Sequence, residues 1–204
     1  MHEVAHGWVA YKLGDPTAKS MGRLTLNPIA HIDPFGTVLL PLILFIATSG
    51  KFMFGSAKPV PVNFNNLRNP KRDMALVAAA GPAANVLISI LSIILLKLLG
   101  RIFATVNMSG VVAMVAVPVI SMLQYSVAFN IFLAAFNLLP IPPLDGGRIA
   151  VSLLPYKQAH WLSRVEPYGI FIVLILWSLG IARYIIDPIQ AFIFFIVDIF
   201  GRIF

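Results

Sequence analysis

His2, Glu3 and His6 open the chain in the pattern H-E-x-x-H, the spacing at which one helix offers two imidazoles to a single metal ion. Residues four apart on an α-helix lie almost above one another, so His2 and His6 share a face. Glu3 is rotated about a quarter turn from His2. That keeps it off the ligand line but within reach of a water on the ion. Zinc in catalytic sites takes three protein ligands and leaves a fourth position for water. The ion lowers that water's pKa toward ~7, and a neighbouring carboxylate can take its proton. The chemistry these residues suit is metal-assisted hydrolysis.

A third ligand is required. The chain has no cysteine and only four histidines, His2, His6, His31 and His160, so the ligand must be a histidine or a carboxylate. "FNLLPIPPLDGGRI" (136–149) ends a long apolar run and carries Asp145. A carboxylate at the membrane edge is costly and points to function. Pro140, Pro142 and Pro143 remove backbone donors and should break the helix there. Gly146 and Gly147 allow a tight backbone path afterwards. The expectation is an extended, strand-like segment that aims Asp145, with its free backbone groups facing protein or a wet cavity. The competing reading makes Asp145 an ordinary N-cap of the short helix that follows. His31 and Asp33 in "NPIAHIDPFG", with Asp15 nearby, are alternative ligands, although bonding to local backbone suits a loop His and Asp better. His160 in "KQAHWLSR" reads as a surface residue.

The elements that must position these groups are membrane elements. Of 204 residues, 59% are hydrophobic and 11% charged, against about 25% charged in ordinary soluble domains. The net charge of +7 is distributed between apolar runs rather than over one face. That is the pattern of cytoplasmic loops, and it excludes a nucleic-acid-binding module of any recognised kind. Full spans are expected at about 74–97, 111–139 and 167–186. The tail 188–204 either spans or lies in the interface, with Asp198 and Arg202 spaced to pair on a helix. Residues 35–49 are apolar but interrupted by Pro41 and shorter than a span, with Lys12, Lys19 and Arg23 before them and Lys51, Lys58, Arg68, Lys71 and Arg72 after. Basic flanks on both sides predict a segment that enters the membrane and returns. "RLTLN" (23–27) alternates as a short strand would. The fold class expected is an all-α polytopic membrane protein of three to four transmembrane helices, with a re-entrant or short β-like segment near the site, forming one membrane-embedded domain over 1–204.

"HEVAHG", "AAAGPAANVL" and "NLLPIPPLDGGRI", in this order, resemble the site-2 protease family of intramembrane zinc metalloproteases. The likeness is strongest to small bacterial members without PDZ or CBS domains, and it covers nearly the whole chain. It implies one zinc ion held by His2, His6 and Asp145, with Glu3 as general base, and peptide-bond hydrolysis in transmembrane substrates. Asn137 matches the family's asparagine ahead of the L-D-G element and is a candidate oxyanion stabiliser; the alternative is polar bonding between helices. Gly81, Pro82 and Asn85 match its G-P-x-x-N element and are expected to pack around the site, Gly81 admitting a neighbouring helix and Asn85 bonding across the contact.

The expected partners are transmembrane protein substrates and the lipid bilayer, with no nucleic acid. The expected location is a prokaryotic plasma membrane, with the site toward the cytoplasm. Two other function classes compete: a membrane metal or ion transporter, and a non-catalytic remnant. The second arises because no turn precedes His2, leaving the opening N–H groups of the first helix without partners. The expectation is that the N-terminal half of that helix is missing and that the true start lies upstream of Met1.

Overall fold

The computed structural model describes residues 1–50, 55, 57–105 and 110–203. Lys51, part of the basic flank expected after the apolar segment, lies outside them, as does Phe204. Among the described residues the chain is 77% helical and contains no strand. Nine α-helices lie among the described residues, in order α1 His2–Lys12, α2 Thr17–Ser20, α3 Leu40–Ala47, α4 Pro70–Ala104, α5 Val111–Asn137, α6 Asp145–Leu153, α7 Tyr156–Ser163, α8 Gly169–Ser178 and α9 Arg183–Ile203.

Among the described residues, four helical stretches are long and apolar enough to cross a membrane: α4, α5, the α7–α8 stretch Tyr156–Ser178, and α9. The first two match the expected spans. The third differs. The expected run 167–186 is broken after Ser178, where Gly180 takes a positive φ of 70° and α9 restarts at Arg183. The tail is accordingly part of a continuous helix, along which the Arg202 guanidinium donates to Asp198 at 2.7 Å.

α4 is the central element, packed against α1, α5, α6 and α9. Its buried core with α5 and α9 includes Ile93, Val127, Ile131, Leu139, Ile193 and Val197. Lipid gives helices no hydrophobic reason to associate, so close packing and interhelical hydrogen bonds must do it. The α4–α5 seam has both. The Ser92 and Ser126 hydroxyls lie 2.8 Å apart, and the Ser89 hydroxyl donates to the Val127 carbonyl at 3.4 Å.

The apolar segment after Asp33 winds as a π-helix over Pro34–Leu39 and continues into α3, so Pro41 lies within one helical run, just after the π-turn, and has no N–H to donate back along it. Its excursion begins and ends at one place. The Lys58 N–H donates to the His31 carbonyl at 2.9 Å, and the Arg23 guanidinium bonds the carbonyls of Ala30 at 2.7 Å and Lys58 at 2.9 Å. That arrangement agrees with a segment that enters and returns. The strand expected at 23–27 is not formed. Those residues are irregular, because no second strand is paired with them and Arg23 instead spends its donors on loop carbonyls.

Candidate metal centre

α1 and α6 bring together the residues that the sequence separates by most of its length. His2 and His6 sit one turn apart on α1, and Asp145 is the first residue of α6. The His2 Nε2 lies 3.1 Å from Asp145 Oδ2, the His6 Nε2 lies 3.3 Å from Asp145 Oδ1, and the two Nε2 atoms are 3.0 Å apart. This is the one group among the described residues with three side chains able to share a metal ion.

The route to Asp145 is tighter than a strand. α5 ends at Asn137, and the chain turns through Leu139–Leu144 with bonds from Ile141 N–H to the Leu139 carbonyl at 2.8 Å and from Leu144 N–H to the Ile141 carbonyl at 3.0 Å. The extended segment expected here is therefore replaced by consecutive turns, which the three prolines permit because they need no N–H partner. Gly146 and Gly147 let the start of α6 lie directly on this turn. A Cβ on Gly146 would meet the Leu138 carbonyl, and one on Gly147 would meet the backbone nitrogen of Pro142. Asp145 makes no side-chain cap on α6, so the N-cap alternative is not what is seen.

α4 supplies the floor. Gly81 is buried beneath both imidazoles, and a Cβ there would meet His6 Nε2 and the Cε1 atoms of both rings. The His6 Nδ1 donates to the Val77 carbonyl at 2.7 Å. Asn85, 3% exposed, places its amide 3.2 Å from His2 Nδ1, so it bonds across the α4–α1 contact as expected.

Burial alone would raise the Asp145 pKa, but the imidazoles of His2 and His6 beside it outweigh that and hold it below the usual carboxylate value. Burial would likewise lower His6, and the Asp145 carboxylate holds it above its ordinary value instead.

The donor set fits a zinc ion: two imidazole Nε2 atoms 3.0 Å apart each face one oxygen of the same carboxylate, at 3.1 and 3.3 Å, and one ligand atom from each residue lies within 4.8 Å of the other two. Asp145 Oδ2 is buried, and His2 Nε2 at 3.1 Å is the side chain that faces it.

Glu3 and Asn137 line the same cavity of 430 Å³, together with Pro59, Val60, Leu144 and Arg148. The Glu3 Oε2 accepts from the Val60 N–H at 2.9 Å. Asn137 Nδ2 donates to the Leu133 carbonyl at 2.9 Å. The remaining sequence candidates lie elsewhere. His31 Nε2 bonds the Thr25 carbonyl at 2.9 Å, and Asp33 caps the π-helix by accepting from Gly36 N–H at 2.8 Å. His160 is exposed on α7. Two contributors were outside sequence reasoning: Val60, whose backbone reaches Glu3, and Arg148, one turn after Asp145 on the cavity wall.

An H-E-x-x-H helix and a distant aspartate held together by apolar helices belong to the class of membrane-embedded metallopeptidases. The chain belongs to peptidase family M50, the site-2 protease family, whose model matches residues 1–179. It is 38% identical over 188 residues to the protein named "Putative zinc metalloprotease YwhC" of Bacillus subtilis (strain 168), covering 92% of this chain and 80% of that one. It is 31% identical over 177 residues to the similarly named Rip2 of Mycolicibacterium smegmatis, covering 86% of this chain and 61% of the relative. Rip2 of Mycobacterium tuberculosis (strain H37Rv) is 28% identical over 199 residues, covering 92% of this chain and 69% of the relative. No solved structure matches the chain. By family the protein is an integral-membrane metalloprotease.

Proposed function

We propose that this chain is an intramembrane zinc protease that hydrolyses peptide bonds in the transmembrane segments of substrate proteins. One zinc ion is held by His2, His6 and Asp145. The observation that carries the reading is the convergence of His2 Nε2, His6 Nε2 and the Asp145 carboxylate within 3.3 Å of one another, with Glu3 on the same cavity. Residues 1–204 act as a single membrane-embedded peptidase domain.

When bound, the ion supplies a Lewis acid and lowers the pKa of a water at its open position toward ~7. Glu3 takes the proton of the attacking water as general base and returns it to the departing amide nitrogen. The Val60 N–H holds one carboxylate oxygen of Glu3, leaving the other for that proton. Asn137 has two amide N–H donors. One is spent on Leu133, and the other is the donor for the substrate carbonyl oxygen as it gains charge.

The substrate helix unwinds locally to present an extended strand. The loop at 23–34 or the segment at 58–66 pairs with it by strand addition. Residues 57–63 have no helical structure, and Pro59, Val60 and Val62 face the cavity. The location is a prokaryotic plasma membrane with the site toward the cytoplasm. The support is basic residues at the site end of the molecule: Lys12, Lys19 and Arg23 beside α1, and Lys71 and Arg72 at the start of α4.

The test is Glu3→Gln in the full chain with an accepted transmembrane substrate. Zinc content should stay at the parent level while cleavage falls by about 10²–10⁴-fold, the usual worth of a general base. Cleavage that survives the substitution would remove Glu3 from its role, and loss of zinc together with cleavage would count against it as a non-ligand.

A further inference from the structure

His2 and His6 turn the same nitrogen, Nε2, toward Asp145, so each Nδ1 must find its partner elsewhere. For His6 the partner is the Val77 carbonyl at 2.7 Å, which can only accept. That bond makes Nδ1 the protonated nitrogen and leaves the Nε2 lone pair facing the centre. His2 has no backbone carbonyl in that position. Its Nδ1 faces the Asn85 amide at 3.2 Å, two turns further along the same face of α4. Between Val77 and Asn85 lies Gly81, whose missing side chain is the space both rings occupy. One stripe of α4 thus carries an acceptor for His6, room for both rings, and an amide for His2.

We propose that Asn85 is a positioning residue for the metal centre, its Oδ1 accepting the His2 Nδ1–H and so selecting the tautomer whose Nε2 is free for the ion. The proposal rests on the reading of His2 as a ligand. Ligating histidines generally donate their other ring N–H to a carboxylate or carbonyl oxygen, which fixes ring orientation and raises ligand basicity. Asn85 differs from Val77 in offering both donor and acceptor. With the Nε2 proton directed at Asp145 Oδ2, Nδ1 accepts from Asn85 Nδ2. With Nε2 committed to the ion, Nδ1 carries the proton, and a half-turn of the amide brings Oδ1 to meet it.

The experiment uses the full chain in detergent, with zinc affinity measured by chelator competition and the His2 ring nitrogens followed by ¹⁵N NMR. Asn85→Leu should weaken zinc binding by about 10–100-fold and shift the zinc-loaded His2 Nδ1–H signal, losing its hydrogen bond. Asn85→Asp, which accepts but cannot donate, should keep zinc affinity within about threefold or tighten it and retain the bonded Nδ1–H signal. If N85L fails to fold, N85D decides alone, since loss of zinc or of the bonded signal there removes the acceptor role. Parent-like affinity and signal in N85L, with His2→Ala still abolishing tight zinc binding, would overturn this proposal and leave the metal reading standing. Undiminished zinc binding in His2→Ala would overturn both.

Discussion

Asp15 is wholly buried, yet among the described residues no cationic side chain pairs with it. It accepts from the Thr17 N–H at 3.1 Å, from the Thr17 hydroxyl, from the Asn63 N–H at 2.7 Å and from the Asn66 amide at 2.9 Å. Burial would raise its pKa, but these donors outweigh it and hold the group below its ordinary value. A carboxylate whose folded pKa is depressed adds stability above its unfolded value of about 3.9, and that stability is lost as pH falls through the lower folded value. The thermal midpoint should therefore fall on acidification below about pH 4, and Asp15→Asn should flatten that limb. At neutral pH Asp15→Ala should cost about 1–3 kcal/mol for each donor left buried and unpaired, read by thermal unfolding. Gly81→Ala is the complementary case, since its new methyl falls on the His2 and His6 rings. It should destabilise the chain by about 1–3 kcal/mol as overpacking does, and zinc affinity should fall with it. At this scale the sequence was readable where chemistry follows local spacing, as for His2, Glu3 and His6. Asn85 was visible only as a packing residue, because its partner is 83 positions away and depends on how α1 registers against α4.

The element with the most consequence for the site is the irregular stretch 57–63, which has no ladder or helix of its own and is held by others. Arg23 bonds the carbonyls of Lys58 and, at 3.4 Å, Pro59, and the next N–H, that of Val60, reaches Glu3. Arg23→Ala removes charge-assisted bonds worth roughly 1.5–3 kcal/mol each. It should raise proteolytic nicking within 57–63 and lower cleavage several-fold while leaving zinc content unchanged. Deleting 23–34 should abolish substrate cleavage, and unchanged cleavage would remove that loop from substrate pairing. Sequence patterning failed on these stretches for a physical reason. Alternation at Arg23–Asn27 describes one face of a possible strand, but a strand needs a neighbour and none is in place. Hydropathy likewise averaged across the turn at Gly180, where a left-handed backbone rather than a polar residue divides two apolar helices. The break after α5 was legible because Pro140, Pro142 and Pro143 act through their own missing donors, although their turn geometry was not.

Across the whole molecule, α4 ties the catalytic end to the membrane. Its 35 residues give a length of about 52 Å, well beyond a hydrocarbon core of about 30 Å, so it can carry Val77, Gly81 and Asn85 at the site end and still cross. The overall class was legible from composition, since 11% charged residues falls far below the about 25% of ordinary soluble domains. Sidedness is testable because the chain has no cysteine. Lys157→Cys should label from the cytoplasmic side and Thr105→Cys, at the far end of α4, from the opposite side only. Labelling of both from one side would contradict the topology. The central claim is that His2, His6 and Asp145 share one zinc ion. It is tested most directly by zinc K-edge X-ray absorption on the purified chain, beside its His6→Ala and Asp145→Ala variants. The account predicts about one zinc per chain with two imidazole nitrogens at about 2.0–2.1 Å and the rest oxygen, with one imidazole lost in His6→Ala and an altered oxygen shell in Asp145→Ala. A parent chain that binds no zinc, or a spectrum that neither substitution changes, would contradict it.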